Sequence, residues 1–259
     1  MDCGLPGNGA TAIRDPDTGS GASGPLPDPQ AAAGRGVESG CARTTENKAR
    51  MSTRIGLLSD PHASPDPVRA ALAMFRERRV ERIFCLGDIA GYGERLAETV
   101  SLLVESRCKS ILGNHEVWYL EKHAAADDLP AAYFRNLPLV IDEVIAGKRI
   151  YLVHASPPDS LMDGIRLLDA TGEIRAEQNA RWSGRLEGFE PEVLIVGHTH
   201  QVFAERLGDT LVINPGSTRF NHTCAILHLP QMKVEMLTLP GKTPVPAWNW
   251  GMAFRDVDR

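Results

Sequence analysis

The sequence predicts an α/β protein, a four-layer α-β-β-α sandwich with two mixed sheets and outer helices. Three observations lead there. Between Arg54 and Leu112, strand-like runs alternate with amphipathic segments of helical length, the pattern of parallel βαβ crossovers. After His200, strand-like runs follow one another through short turns with no helix between them. Clusters of Asp, Asn and His sit directly after strand-like runs, where an open α/β sheet gathers its ligands.

In chain order, residues 54–58 read as the first strand. Residues 66–79 read as a helix, with Pro67 near its start and Val68, Leu72 and Phe75 on one face. A strand at 82–86, a helix near 94–106 and a strand at 109–112 follow. Val140–Val144 and Arg149–Val153 flank Ala146-Gly147-Lys148, a hairpin signal. Val193–Val196 is an apolar run, and strands at 201–206, 210–213, 223–229 and 232–238 imply a second, more antiparallel sheet.

Residues 1–50 differ in kind. They lack Phe, Tyr and Trp and are rich in Gly, Pro, Ala and Ser, so they cannot bury enough apolar surface to offset their ordering entropy. They read as a disordered tail, or as sequence upstream of a true start at Met51, with 51–259 as the folded domain. No continuous apolar segment marks a secretory signal or a membrane span.

Over 259 residues the apolar fraction is 42% and the charged fraction 24%, the composition of a soluble globular protein. A net charge of −5 carries no strong electrostatic footprint for nucleic acid or an anionic membrane, though it leaves room for a small nucleotide. Cys3, Cys41, Cys85, Cys108 and Cys224 are dispersed and form no CxxC pair, so the natural setting is a reducing cytoplasm. Cys85 and Cys224, inside apolar strands, read as small buried hydrophobes.

Five clusters carry the chemistry: Asp60-Pro61-His62, Gly87-Asp88, Gly113-Asn114-His115-Glu116, His154, and Gly197-His198-Thr199-His200. All offer hard or borderline N/O donors, which suit a pair of divalent ions. Such a pair needs one ligand that touches both ions, and a carboxylate can do so with its two oxygens. Asp88, in the second cluster, is the candidate bridge. Asp60 and His62 can hold one ion. His198 and His200 share the same spacing and can serve different ions, while His154 completes the ligand set of the second ion. Asn114 adds a neutral oxygen, which keeps the charge low enough for a phosphate to enter. Two ions about 3.5–4 Å apart lower the pKa of a bridging water and clamp an in-line displacement, the need of a phosphate ester. His115, next to Asn114, is placed to protonate the leaving oxygen.

In this order the clusters resemble the calcineurin-like metallophosphoesterase superfamily, whose pattern D-x-H … G-D … G-N-H-E … H … G-H-x-H runs here from Asp60 to His200. Ile213-Asn214-Pro215-Gly216-Ser217 resembles a turn of its small, compact bacterial phosphodiesterase branch, and the likeness spans about residues 54–238. The resemblance implies one ion on Asp60, His62, Asp88 and His200, another on Asp88, Asn114, His154 and His198, and His115 as the acid. It implies a metal-dependent hydrolase acting on a small phosphomonoester or phosphodiester through a metal-bridging hydroxide. The metals expected are manganese or iron, with zinc or nickel as alternatives.

Two rival readings share the fold. The protein-phosphatase branch carries an extra Asp and Arg shortly after the bridging Asp and an Arg before G-N-H-E. This chain has Gly87-Asp88-Ile89-Ala90-Gly91-Tyr92-Gly93 and Leu112 there, which counts against phosphoprotein hydrolysis. A catalytically silent scaffold that binds proteins would show eroded ligands, and none of the eight positions is lost. Arg219, near the Ile213–Ser217 turn, is a candidate phosphate contact. Gly91-Tyr92-Gly93 reads as a flexible loop, the run Arg76, Arg78, Arg79, Arg82 as a solvated helix end, and Trp248 and Trp250 as anchors for the C-terminal segment. His123, His222 and His228 fall outside the pattern and carry no assigned role. No cap domain is expected, because only short spans separate His115, His154 and His198, so the cleft should be open.

Overall fold

A computed structural model describes residues 52–249. The tail at 1–50 and the anchoring role read for Trp250 lie outside the described residues. The chain runs β1 (Thr53–Leu58), α1 (Pro65–Glu77), β2 (Arg82–Cys85), α2 (Leu96–Glu105), β3 (Lys109–Ser110), α3 (Asn114–Lys122), α4 (Leu129–Phe134), β4 (Val140–Ile145) and β5 (Lys148–Val153). It continues through α5 (Ala176–Arg185), β6 (Val193–Ile195), β7 (Val202–Leu207), β8 (Thr210–Pro215), β9 (Thr223–Leu229) and β10 (Lys233–Thr238).

The strands form two five-stranded mixed sheets, ordered β10-β9-β1-β2-β3 and β4-β5-β6-β8-β7. β1, β2 and β3 are mutually parallel, as are β5, β6 and β8, while β9, β10, β4 and β7 join antiparallel. Side chains alternate across each strand and so divide the core into three packed layers. Ile55, Leu57, Phe84, Ile150, Leu152 and Ile195 fill the space between the sheets. Leu58 and Cys85 face the other way, onto Val68, Ala71 and Phe75 of α1 and Val100 and Leu103 of α2. On the far side, Val153, Leu194 and Val212 meet Trp182 of α5. The result is the expected four-layer sandwich.

The expected split of the sheets between the two halves of the chain needs correction. β9 and β10 return to the first sheet, where β9 pairs antiparallel with β1 in the register Gly56↔Ile226. The reason is β9's own sequence. Cys224 and Ile226 face the helix layer, while Ala225, Leu227 and Leu229 face the other sheet. A strand apolar on both faces needs a central position covered on both sides. The third parallel strand is also shorter than read, and Gly113-Asn114-His115-Glu116 opens α3. Cys85, Cys108 and Cys224 are buried free thiols. Among the described residues, no helix is long and apolar enough to cross a membrane.

Candidate metal centre

The five clusters follow β1, β2, β3, β5 and β6, strands that run parallel within their sheets, and their polar side chains meet at one end of the sandwich. Asp60, Asp88 and Asn114 come from the first sheet, and His154, His198 and His200 from the second. Short backbone bonds set the loops: Asp60 N–H to Gly87 O at 3.1 Å, His62 N–H to Asp88 O at 3.0 Å, and Gly197 N–H to His154 O at 2.8 Å. Asp60, His62, Asp88, His198 and His200 all take the left-handed conformation, with φ from 44° to 64°. That geometry is costly for residues with a Cβ and recurs where a site overrules the backbone's preference. Two glycines are required for close approach. A methyl group at Gly113 would collide with the Asp88 carboxylate and backbone nitrogen, and one at Gly197 with Ser59 and Asp60.

Three groups of donor atoms lie within 4.8 Å of one another: Asp60, His62 and His200; Asp88, His154 and His198; and His62, Asp88 and His115. Hydrogen bonds to the imidazoles assign their tautomers. His62 Nδ1 lies 3.0 Å from Ala90 O and His154 Nδ1 2.6 Å from Leu86 O, so both Nδ1 atoms donate and each Nε2 keeps a lone pair. His154 Nε2 then faces Asn114 Oδ1 at 3.2 Å and Asp88 Oδ1 at 3.3 Å, both acceptors. His62 Nε2 faces His200 Nε2 at 3.2 Å, and His198 Nδ1 lies 3.1 Å from Asn114 Oδ1. Buried lone pairs converging on one point repel unless a cation or proton sits among them. The donor set fits divalent metal ions.

The field inside the site points the same way. Burial opposes protonation of His154, but the Asp88 and Asp60 carboxylates outweigh it and push the imidazole up to about 10. A field that holds a proton so firmly also favours a metal cation. Burial dominates at His62 and lowers it to about 4, so its ring is neutral and available as a ligand. Burial also lowers His115 and His198. At Asp60 and Asp88 burial acts to raise the pKa, yet the surrounding imidazoles prevail and keep both low.

Several motif residues without an assigned ligand role support the site. Glu116 is fully buried, its Oε1 accepting from Ala90 N–H at 2.7 Å and its Oε2 from the Asp88 and Gly113 N–H groups at 2.8 Å each. One carboxylate thereby ties the Asp88 loop to the start of α3. Burial and the neighbouring Asp88 charge push it up to about 7 against the pull of these donors. Its place three residues after Gly113, in capping-box spacing, was the signal available in the sequence. Glu116→Gln keeps one oxygen but turns an NH₂ toward N–H donors. We expect a loss of about 1–3 kcal/mol from the unsatisfied groups, seen as a melting temperature lower by about 2–4 °C per kcal/mol. An unchanged calorimetric melt would show that these bonds do not hold the loops.

The Ile213–Ser217 turn is also structural. Ser217 Oγ donates to Asp60 O at 2.7 Å, and Asn214 Nδ2 donates to Gly197 O at 3.0 Å. Arg219, the candidate phosphate contact, has its Nη1 donating to His62 O at 2.8 Å and Ser64 Oγ at 3.0 Å, so it braces the His62 loop.

A solvent-open cleft of ≈ 200 Å³ lies over the donor cluster. Tyr92, Trp118, Met162, Arg166 and Trp248 line it beside the imidazoles. Tyr92, from the segment read as a plain loop, packs 4.7 Å from His62 and 4.9 Å from His115. Trp248 anchors as expected, its ring stacked 4.0 Å from Phe220 and its backbone N–H donating to His200 O at 3.0 Å. The three unassigned histidines lie elsewhere: His123 packs on Tyr119, His222 faces Thr243 O, and His228 faces Glu235.

Residues 53–232 match the model of the calcineurin-like phosphoesterase superfamily domain. An uncharacterized protein of Methanocaldococcus jannaschii is 32% identical over 124 residues, covering 41% of this chain; the chain spans about half, 51%, of that relative. The fold is similar to that of a hypothetical protein from Pyrococcus horikoshii (TM-score 0.56, 19% identity, 80% of this chain and 92% of that one). It is also similar to a metallophosphoesterase from Sphaerobacter thermophilus (TM-score 0.54, 21% identity, 71% and 87%). Archaeal proteins stand among these matches, so the likeness is not confined to a bacterial branch.

Proposed function

We infer that this chain, which belongs to the calcineurin-like phosphoesterase superfamily, hydrolyses small phosphomonoesters or phosphodiesters with two divalent metal ions. The observation that carries the reading is the pair of Asp/His triads, Asp60–His62–His200 and Asp88–His154–His198, gathered at one end of the two sheets. Asp60, His62, Asp88 and His200 are assigned to one ion, and Asp88, Asn114, His154 and His198 to the other. Bound divalent ions supply a lowered pKa for water and neutralise charge on phosphate oxygens.

The chain's own residues do the rest. Asp88 belongs to the second triad and lies within reach of His62 in the first, and it is assigned as the ligand shared by the two ions. His62 and His154, anchored through Nδ1 to backbone carbonyls, hold Nε2 in fixed directions. His115 sits at the start of α3, its backbone N–H on Asp88 Oδ1 at 3.0 Å, and is assigned as the donor of a proton to the leaving oxygen. Manganese or iron suits the N/O donors, as zinc or nickel would. The buried free thiols suit a reducing cytoplasm.

Elemental analysis and an ester panel test this. We expect about two ions per chain and chelator-sensitive hydrolysis of at least one member of a panel of monoesters, diesters and dinucleoside polyphosphates. A protein reconstituted with manganese that binds no metal and cleaves nothing would instead be a silent scaffold.

A further inference from the structure

Arg166 belongs to no motif, yet it lines the cleft. Its neighbours Ile165 and Leu167 are fully buried, and their segment is pinned to the His198–Gln201 loop. Thr199 Oγ1 donates to Ile165 O at 3.0 Å, and Gln201 Oε1 accepts from Leu167 N–H at 2.7 Å and Leu168 N–H at 2.9 Å. Arg166 itself is exposed. Arg69, Arg95, Arg149 and Arg185 each meet a carboxylate, whereas Arg166 has no such partner among the described residues. A cation on a pinned segment, facing no carboxylate among the described residues and lining the cleft over the donor cluster, is a ready anion contact.

A second feature is independent of it. Large apolar side chains are exposed around the same cleft: Trp118 is 47% exposed, Tyr92 44% and Met162 60%. Trp118 stands one turn along α3 from His115, its ring 4.9 Å away and edge-on. Exposed aromatic surface beside a polar reaction centre suits a ligand with a planar face of its own.

We propose that the cleft selects nucleotide-type phosphate esters, with Trp118 stacking on the base and Arg166 holding non-bridging phosphate oxygens. This rests on the phosphoesterase reading and narrows its substrate class. The pairing assigns separate tasks: Arg166 recognises the phosphate that every ester shares, and Trp118 recognises the group that only nucleotides carry.

Calorimetric titration of the metal-loaded protein tests the proposal with adenosine 5′-monophosphate, ribose 5-phosphate and inorganic phosphate. Adenosine monophosphate should bind about tenfold tighter than ribose 5-phosphate, the size of a base–aromatic stack. Trp118→Ala should erase that preference and leave inorganic phosphate unchanged. Arg166→Gln should weaken all three ligands alike by about tenfold, with Arg166→Lys in between. Equal binding of the first two ligands by the wild type overturns the proposal, as does a Trp118→Ala loss shared by ribose 5-phosphate. Hydrolysis of bis(4-nitrophenyl) phosphate, measured separately, reports on the parent reading. Turnover without base preference defeats only the substrate class, whereas base preference without turnover of any ester defeats only the hydrolase.

Discussion

Asp88→Asn should strip the protein of both metal ions, while His62→Ala should leave one bound. The Asp88 carboxylate belongs to a donor group with His62 and to another with His154 and His198. Its Oδ1 lies 3.3 Å from His154 Nε2 and accepts the His115 N–H at 3.0 Å. An amide presents one oxygen and no charge, so it cannot serve two cations, and it also removes the field that makes His154 attract positive charge. His62→Ala disturbs the Asp60 side and leaves Asp88, His154 and His198 in place. Stoichiometry by elemental analysis decides the matter, and equal metal loss in the two variants would take Asp88 out of the bridging role.

His115→Ala should keep both ions and lose activity according to the leaving group. An alkoxide or ribose hydroxyl needs a proton as it departs, and a well-placed acid contributes about 10²–10⁴-fold. A nitrophenolate leaves without one, so nitrophenyl esters should suffer much less. The geometry makes the control necessary, because a His115 ring nitrogen lies within 4.8 Å of donor atoms of both His62 and Asp88. Loss of metal in His115→Ala would make this histidine a ligand. Equal damage to both substrate types with metals retained would give it the task of stabilising phosphoryl oxygens.

The site was far more legible in the sequence than its surroundings. Asp60, His62, Asp88, Asn114, His154, His198 and His200 could be read together because each of their five clusters follows its own strand, and parallel strands deliver their C-terminal ends to one place. What local pattern cannot carry is pairing across long separations. β9 looks like any apolar strand, and its choice of β1, some 170 residues earlier by the register Leu57↔Ala225, depends on which faces are covered. Arg166 was invisible for the same reason, since its position depends on side chains of Thr199 and Gln201 that hold its segment from a distant loop. The bracing bond from Arg219 to His62 O was equally unreadable, because nearness in sequence to a motif does not say which way a long side chain turns.

Each proposed metal shell draws on both sheets, Asp60 and His62 with His200 on one side, and Asp88 with His154 and His198 on the other. Neither sheet alone presents a complete set of donors. In refolding, therefore, tight ion uptake has to wait until the two sheets have docked, and it becomes a late event that reports assembly of the sandwich. Ions held by the proposed shells would close the open end of that assembly as a clasp. Amide exchange at the Gly87–Asp88 and Gly197–His198 loops should then slow far more on metal addition than exchange in α1 or α2.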